Sequence, residues 1–171
     1  MTKTTNTGGY TLIELIIAVG LFSLVMLLAS GAYLVMIGVS RQTQSVATGI
    51  NNLSFALETM TRTIRTGTNY SCDNSGDCSN GGSIFSVRNI NGVTIVYALS
   101  GGVITQNDAP LTDPSVTVSS LLFYVYGTGK PPGDYQQPRA TIIVSGTISS
   151  GPGKTESFTV ETGATMRGSD L

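Results

Sequence analysis

Glu14 is the residue whose chemistry is hardest to ignore. It stands at the head of a run of 25 uncharged residues, Leu15 to Val39. A carboxylate in a membrane helix costs about 2.5–3.5 kcal/mol at a central position and less near the interface, so it is rarely without a role. The plainest role is an anion at headgroup level beside a helix N-terminus, where the dipole favours it. The other carboxylates are scattered: Asp108 and Asp113 fall in one loop, Asp134 in another, and Glu156 and Glu161 lie near the end of the chain. Glu156 and Glu161 are five apart, so in a strand they point to opposite faces and make no acid/base pair. Histidine is absent, which removes His triads, His bases and His metal ligands. Lysines occur only at 3, 130 and 154, and no phosphate-loop motif is present. The expectation is no catalytic residue, no cofactor and no enzyme. Cys72 and Cys78 are the only cysteines. Two cysteines without His leave a zinc site incomplete, so no metal is assigned to them.

The elements that position these residues follow from composition. Charged residues make up 11% of the 171, with nine basic and ten acidic side chains and a net charge of −1. No Lys/Arg cluster is visible along the chain, which argues against a nucleic-acid partner. The 42 Ser and Thr and 21 Gly lie mostly outside one apolar block. As a helix that block reaches roughly 37 Å, enough to cross a bilayer. It exceeds the apolar core of a cleaved secretory signal, and no small-residue cleavage site follows it.

Past the membrane the helix is expected to continue. Val46, Ile50, Leu53, Leu57, Met60 and Ile64 form a stripe at spacings of three and four, with Gly67 as a stop. The stripe predicts the face on which a downstream sheet packs, within a single helix of roughly 55 residues. Glu58 and Arg62 stand at i and i+4 in the favourable order. Residues 68–82 read as a loop by composition. Outside a membrane the compartment is oxidising, so Cys72 and Cys78 are expected to form a disulfide. The intervening Asp73–Asp77 segment resembles oxygen-rich calcium loops but lacks the later bidentate Glu. From Ser83 the period becomes strand-like. Ile84–Ile90 and Val93–Leu99 should pair through a two-residue type I′ turn at Asn91-Gly92. A short Val103–Thr105 segment and a loop over Asn107–Pro114 follow. Val116–Tyr126 is a long strand, and Gly127–Pro138 is a Gly/Pro-rich excursion. Ala140–Ile148 and Ser157–Met166 form the last pair, giving about six strands of one antiparallel sheet and an α+β fold.

The segment GGYTLIELIIAVGLF, from Gly8 to Phe22, resembles the leader junction of type IV prepilins and type II secretion pseudopilins. The resemblance implies a pilin-like fold, one long N-terminal helix packed on an antiparallel β-sheet. It implies a leader over 1–9, a transmembrane half-helix over 10–40, an amphipathic half over 41–66 and an extracytoplasmic β-rich part over 67–171. A prepilin peptidase would cut between Gly9 and Tyr10 and methylate the new N-terminus at Tyr10. Glu14 would then be the fifth residue, its carboxylate pairing with the amine of a neighbouring subunit during assembly. Tyr10 stands where the family most often has Phe, and the leader carries a single Lys. The partners implied are the peptidase, other pilin or pseudopilin subunits and the inner membrane.

Two function classes follow. One is a structural subunit of a type IV pilus, competence or type II secretion filament. Its size, its sheet and the closing segment Phe158–Arg167 resemble J-type pseudopilins and W-type minor pilins. The other is a membrane-tethered or filament-tip binding module, with Phe123–Tyr126 and Gly127–Pro138 as the contact surface for a surface ligand. Tyr and Phe in such a strand, however, more often serve core and edge packing.

Overall fold

A computed structural model describes residues 8–129, 132, 134–151 and 153–167. Residues 1–7 of the expected leader, Lys130, Pro131 and Gly133 of the Gly/Pro excursion, Pro152 of the last turn and residues 168–171 lie outside them. The chain divides into two compact units, residues 1–41 and 42–171.

The first unit is helical from Leu12 onward, and its apolar side chains are exposed all round, from Leu12 to Val39. A helix apolar on every side is stable only in lipid or among other helices. The element continues without a break as α1, Leu12–Thr66.

In the second unit α1 buries Gly49, Leu53, Ala56, Leu57, Met60 and Ile64. The expected stripe is therefore corrected at one place. Ile50 is half exposed, and Gly49 takes the inward position, because a β-carbon there would overlap the side chain of Ile148. Gly67 ends the helix for a similar reason, since a β-carbon would overlap Val87 and crowd the carbonyls of Thr63 and Arg88.

Nine strands follow among the described residues: β1 Thr68–Cys72, β2 Cys78–Gly82, β3 Phe85–Arg88, β4 Thr94–Ser100, β5 Val103–Gln106, β6 Ala109–Pro110, β7 Val116–Tyr126, β8 Arg139–Gly151 and β9 Lys154–Thr165. They form two antiparallel sheets, ordered β1-β3-β4-β5-β6 and β2-β7-β8-β9. The expected α+β arrangement of one long helix on antiparallel strands is present, but as two sheets rather than one. The difference comes from residues 68–82. TNYSC and CSNGG carry turn composition, yet β1 pairs with β3 and β2 with β7. Tertiary pairing overrides weak strand propensity.

Two turns also differ from expectation. The β3–β4 loop is five residues, 89–93, between the Arg88↔Thr94 pair. Asn89 Oδ1 accepts from the N–H groups of Asn91 and Val93, which organises the longer loop. The two-residue hairpin lies instead at Asn107-Asp108, both left-handed (φ 50° and 66°), between Gln106 and Ala109. That pattern of two positive φ values is the type I′ requirement.

The core joins both sheets to α1. Tyr70 and Phe85 meet edge-to-face at 5.5 Å, and Phe85 stacks on Phe123 at 5.4 Å. Phe85 belongs to one sheet and Phe123 to the other, so this aromatic contact fastens the two layers.

Candidate functional site

Gly8 to Thr11 precede the helix in non-helical conformation and are exposed, Tyr10 by 88%. No other atom lies within 4 Å of a β-carbon built at Gly8 or Gly9. The Gly9–Tyr10 peptide bond is thus open to a protease on a segment that needs no unwinding. Thr11 is the N-cap of α1. Its hydroxyl accepts from the Glu14 N–H at 3.3 Å, while Glu14 Oε2 accepts from the Thr11 N–H and hydroxyl, each at 3.4 Å. This is a reciprocal capping box. The motif Thr11-x-x-Glu14 was visible in the sequence and passed unread there. It holds the carboxylate in the first turn of α1, four residues along the chain from the Tyr10 amine that cleavage would expose.

Cys72 and Cys78 form the disulfide, with Cα atoms 5.9 Å apart. Cys72 ends β1 and Cys78 opens β2, so the bond ties one sheet to the other. Closing a seven-residue loop contributes roughly 2.4 kcal/mol on the chain-entropy account.

The two carboxylates of this segment serve as backbone acceptors. Asp73 Oδ1 accepts from the N–H groups of Ile84 at 2.9 Å and Ser83 at 3.1 Å. Asp77 Oδ1 accepts from the Thr128 hydroxyl at 2.7 Å and its N–H at 2.9 Å, and Oδ2 accepts from the Gly127 N–H at 3.2 Å. Among the described residues, no group of three or more His, Cys, Asp or Glu is placed to hold a metal. Burial raises the Asp77 pKa, but the hydrogen bonds from Thr128 and Gly127 outweigh it and hold the carboxyl below its ordinary 3.8. A depressed folded pKa gives a contribution fully present above the unfolded value and lost as pH falls through the folded one. The amide signals of Gly127 and Thr128 should therefore titrate together in NMR spectra with a midpoint below 3.8. Asp77→Asn should abolish that titration, and a midpoint above the ordinary value would refute the clamp.

The remaining acidic residues stay apart. Asp108 sits in the β5–β6 turn, Asp113 accepts from the Ser115 N–H, and Asp134 accepts from the Gln136 N–H. Glu156 and Glu161 are exposed on β9, opposite Ile148 and Ile143 of β8. Of the expected aromatic contact surface, Phe123 and Val125 are fully buried, whereas Tyr124 and Tyr126 lie on the outer face. Phe123 thus takes the core-packing role expected more often of these aromatics than a contact surface, because strand alternation turns it inward.

Residues 4–30 match the prokaryotic N-terminal methylation motif. The chain carries a prepilin-type signal. The matched stretch spans the Gly9–Tyr10 bond, the Thr11–Glu14 cap and the first part of the apolar helix. It is the signal of type IV pilin-like precursors processed by a prepilin peptidase and assembled with other subunits. No curated protein and no solved structure shows significant similarity to the chain.

Proposed function

We propose that this prepilin-type chain is a structural, non-catalytic filament subunit, minor in its assembly, of a type IV pilus, competence or type II secretion machine. The observation that carries the reading is the methylation motif laid over an exposed Gly9–Tyr10 bond and an uncovered apolar helix. Residues 10–40 hold the precursor in the inner membrane, with residues 67–171 outside the cytoplasm. Cleavage after Gly9 removes the leader, and methylation follows on the Tyr10 amine. Glu14 then sets register against the amine of a neighbour. Two opposite charges in a low-dielectric helix bundle each relieve the other's desolvation. Ile50 and Phe55, exposed on the second half of α1, supply further apolar contacts between helices. The force for assembly comes from a separate cytoplasmic ATPase. The J-type or W-type reading is supported by chain size and by the closing strand with its following Arg167.

Intact mass tests this directly. Co-expression with a prepilin peptidase should remove Met1–Gly9 and add one methyl group, while a peptidase-free control keeps the full mass. An unprocessed chain in both cultures would sink the filament reading and favour a membrane-tethered binding module.

A further inference from the structure

The sequence shows no basic run, yet the fold builds a basic site. A cavity of about 470 Å³ lies where the end of α1 meets the open end of the β8–β9 hairpin. Arg65, Arg139 and Arg167 line it, together with Thr141, Gly163 and Thr165. These are three of the chain's six arginines, drawn from positions 74 and 28 residues apart (65 to 139, 139 to 167). Among the described residues, no acidic side chain lines this cavity. An adjoining cleft shares Arg65 and Arg167 and adds Arg62, but Arg62 is paired with Glu58 at 3.4 Å. None of Arg65, Arg139 and Arg167 has a carboxylate partner among the described residues.

Local structure accounts for only part of this. Arg65 in the last turn complements the helix dipole. Yet the terminal carbonyls are already engaged: Arg65 O accepts from the Arg167 N–H at 2.9 Å, and Ile64 O from the Gly67 N–H at 3.3 Å. Arg139 lies over the Tyr126 ring at 5.0 Å, a contact that orients a guanidinium without neutralising it. Arg167 has no such explanation. The floor is bare where Gly163 stands opposite Thr141, because a β-carbon there would come within 3.0 Å of Ala140 O.

Guanidiniums that have no carboxylate partner among the described residues, set around a concave surface, focus a positive potential. Their planar forks match carboxylate and phosphate oxygens two at a time. The volume falls within the range of small-molecule sites, about 300–1,000 Å³. We propose that this cavity is a binding site for a small, multiply charged oxyanion of the phosphate or polycarboxylate class. Arg139 and Arg167 are its principal charges, and the Thr141 and Thr165 hydroxyls are available as further donors. The site is independent of leader processing.

The test is calorimetric titration of the full-length protein in uncharged detergent micelles at low ionic strength, with inorganic phosphate in one arm and citrate in the other. Saturable binding of either anion at one site per chain is expected, and the tighter arm names the class. Arg139→Gln and Arg167→Gln should each weaken it at least tenfold, with Lys154→Gln unchanged as a control for general charge. Arg167→Gln keeps the test valid if Arg139→Gln disturbs the Tyr126 contact, because the Arg167 backbone bond does not need its side chain. Absence of saturable binding in both arms would overturn the proposal. So would equal binding by the wild type and both arginine variants.

Discussion

Phe123→Ala should lower the stability of the folded part by about 3–5 kcal/mol, the range for removing a buried Phe ring. That is a large share of the ~5–15 kcal/mol that holds a typical domain. Phe123 is fully buried and stacks on Phe85 of the other sheet at 5.4 Å. Its strand β7 pairs with β2 at Gly82 and with β8 at Ile142. The ring therefore stands where two layers and three strands meet, and truncation leaves a cavity that the ladders on both sides prevent from collapsing. Tyr124, the next residue, faces outward, and Tyr124→Ala should cost about 1 kcal/mol or less. Urea unfolding of the full-length protein in micelles, followed by near-ultraviolet circular dichroism, would show the contrast. Equal shifts for the two variants would mean that the aromatic run is not divided between core and surface.

The same strand shows what could and could not be read along the chain. Its existence was legible from Val116 to Tyr126, but its facing was not. Val116 and Val118 point inward, then Leu121, Phe123 and Val125 do so, because an irregularity between Val118 and Ser120 shifts the register. A bulge changes the parity of a strand without leaving a hydrophobic signature. At the same point Gly146 of β8 lets the strands close up, since a β-carbon would overlap Thr117 O. The long helix was legible for the opposite reason: a 25-residue uncharged run and a heptad-like stripe are local patterns. Even there, Gly49 rather than Ile50 met the core, a choice made by Ile148 almost a hundred residues away. β1 and β2 were missed because TNYSC is polar and CSNGG is polar and glycine-rich, and both become strands only through partners and the disulfide. The arginine cavity was invisible for the same physical reason. Its charges are each isolated in sequence and converge only when β8, β9 and the end of α1 are assembled.

Glu14 carries the second large effect, and the capping box makes it separable into two parts. Glu14→Ala removes the charge and the side-chain half of the capping box, while the Thr11 hydroxyl still caps the backbone N–H at position 14. Glu14→Gln removes only the charge, because a Gln at the third helical position reaches back to the N-cap N–H as a Glu does. Losing that half of the box costs less than replacing the N-cap residue itself, which is about 0.5–2 kcal/mol of helix stability. Losing one member of a charge-assisted pair costs about 1.5–3 kcal/mol, a factor of roughly 10–150. If Glu14 works by pairing with a neighbour's amine, both variants should enter filaments at a tenth of the wild-type level or less. Membrane insertion should persist or improve in both, since neither substitution adds charge to the apolar helix. Quantifying the processed chain in sheared filaments against the membrane fraction reads the two steps separately. Near-normal incorporation of Glu14→Gln with failure of Glu14→Ala would assign Glu14 to capping alone. The two bonds that the Glu14 carboxylate accepts from Thr11, each at 3.4 Å, are long enough for it to exchange them for a cation at little loss. On the proposed reading, such a weak internal partner keeps the anion at the helix start until a neighbour's amine replaces it.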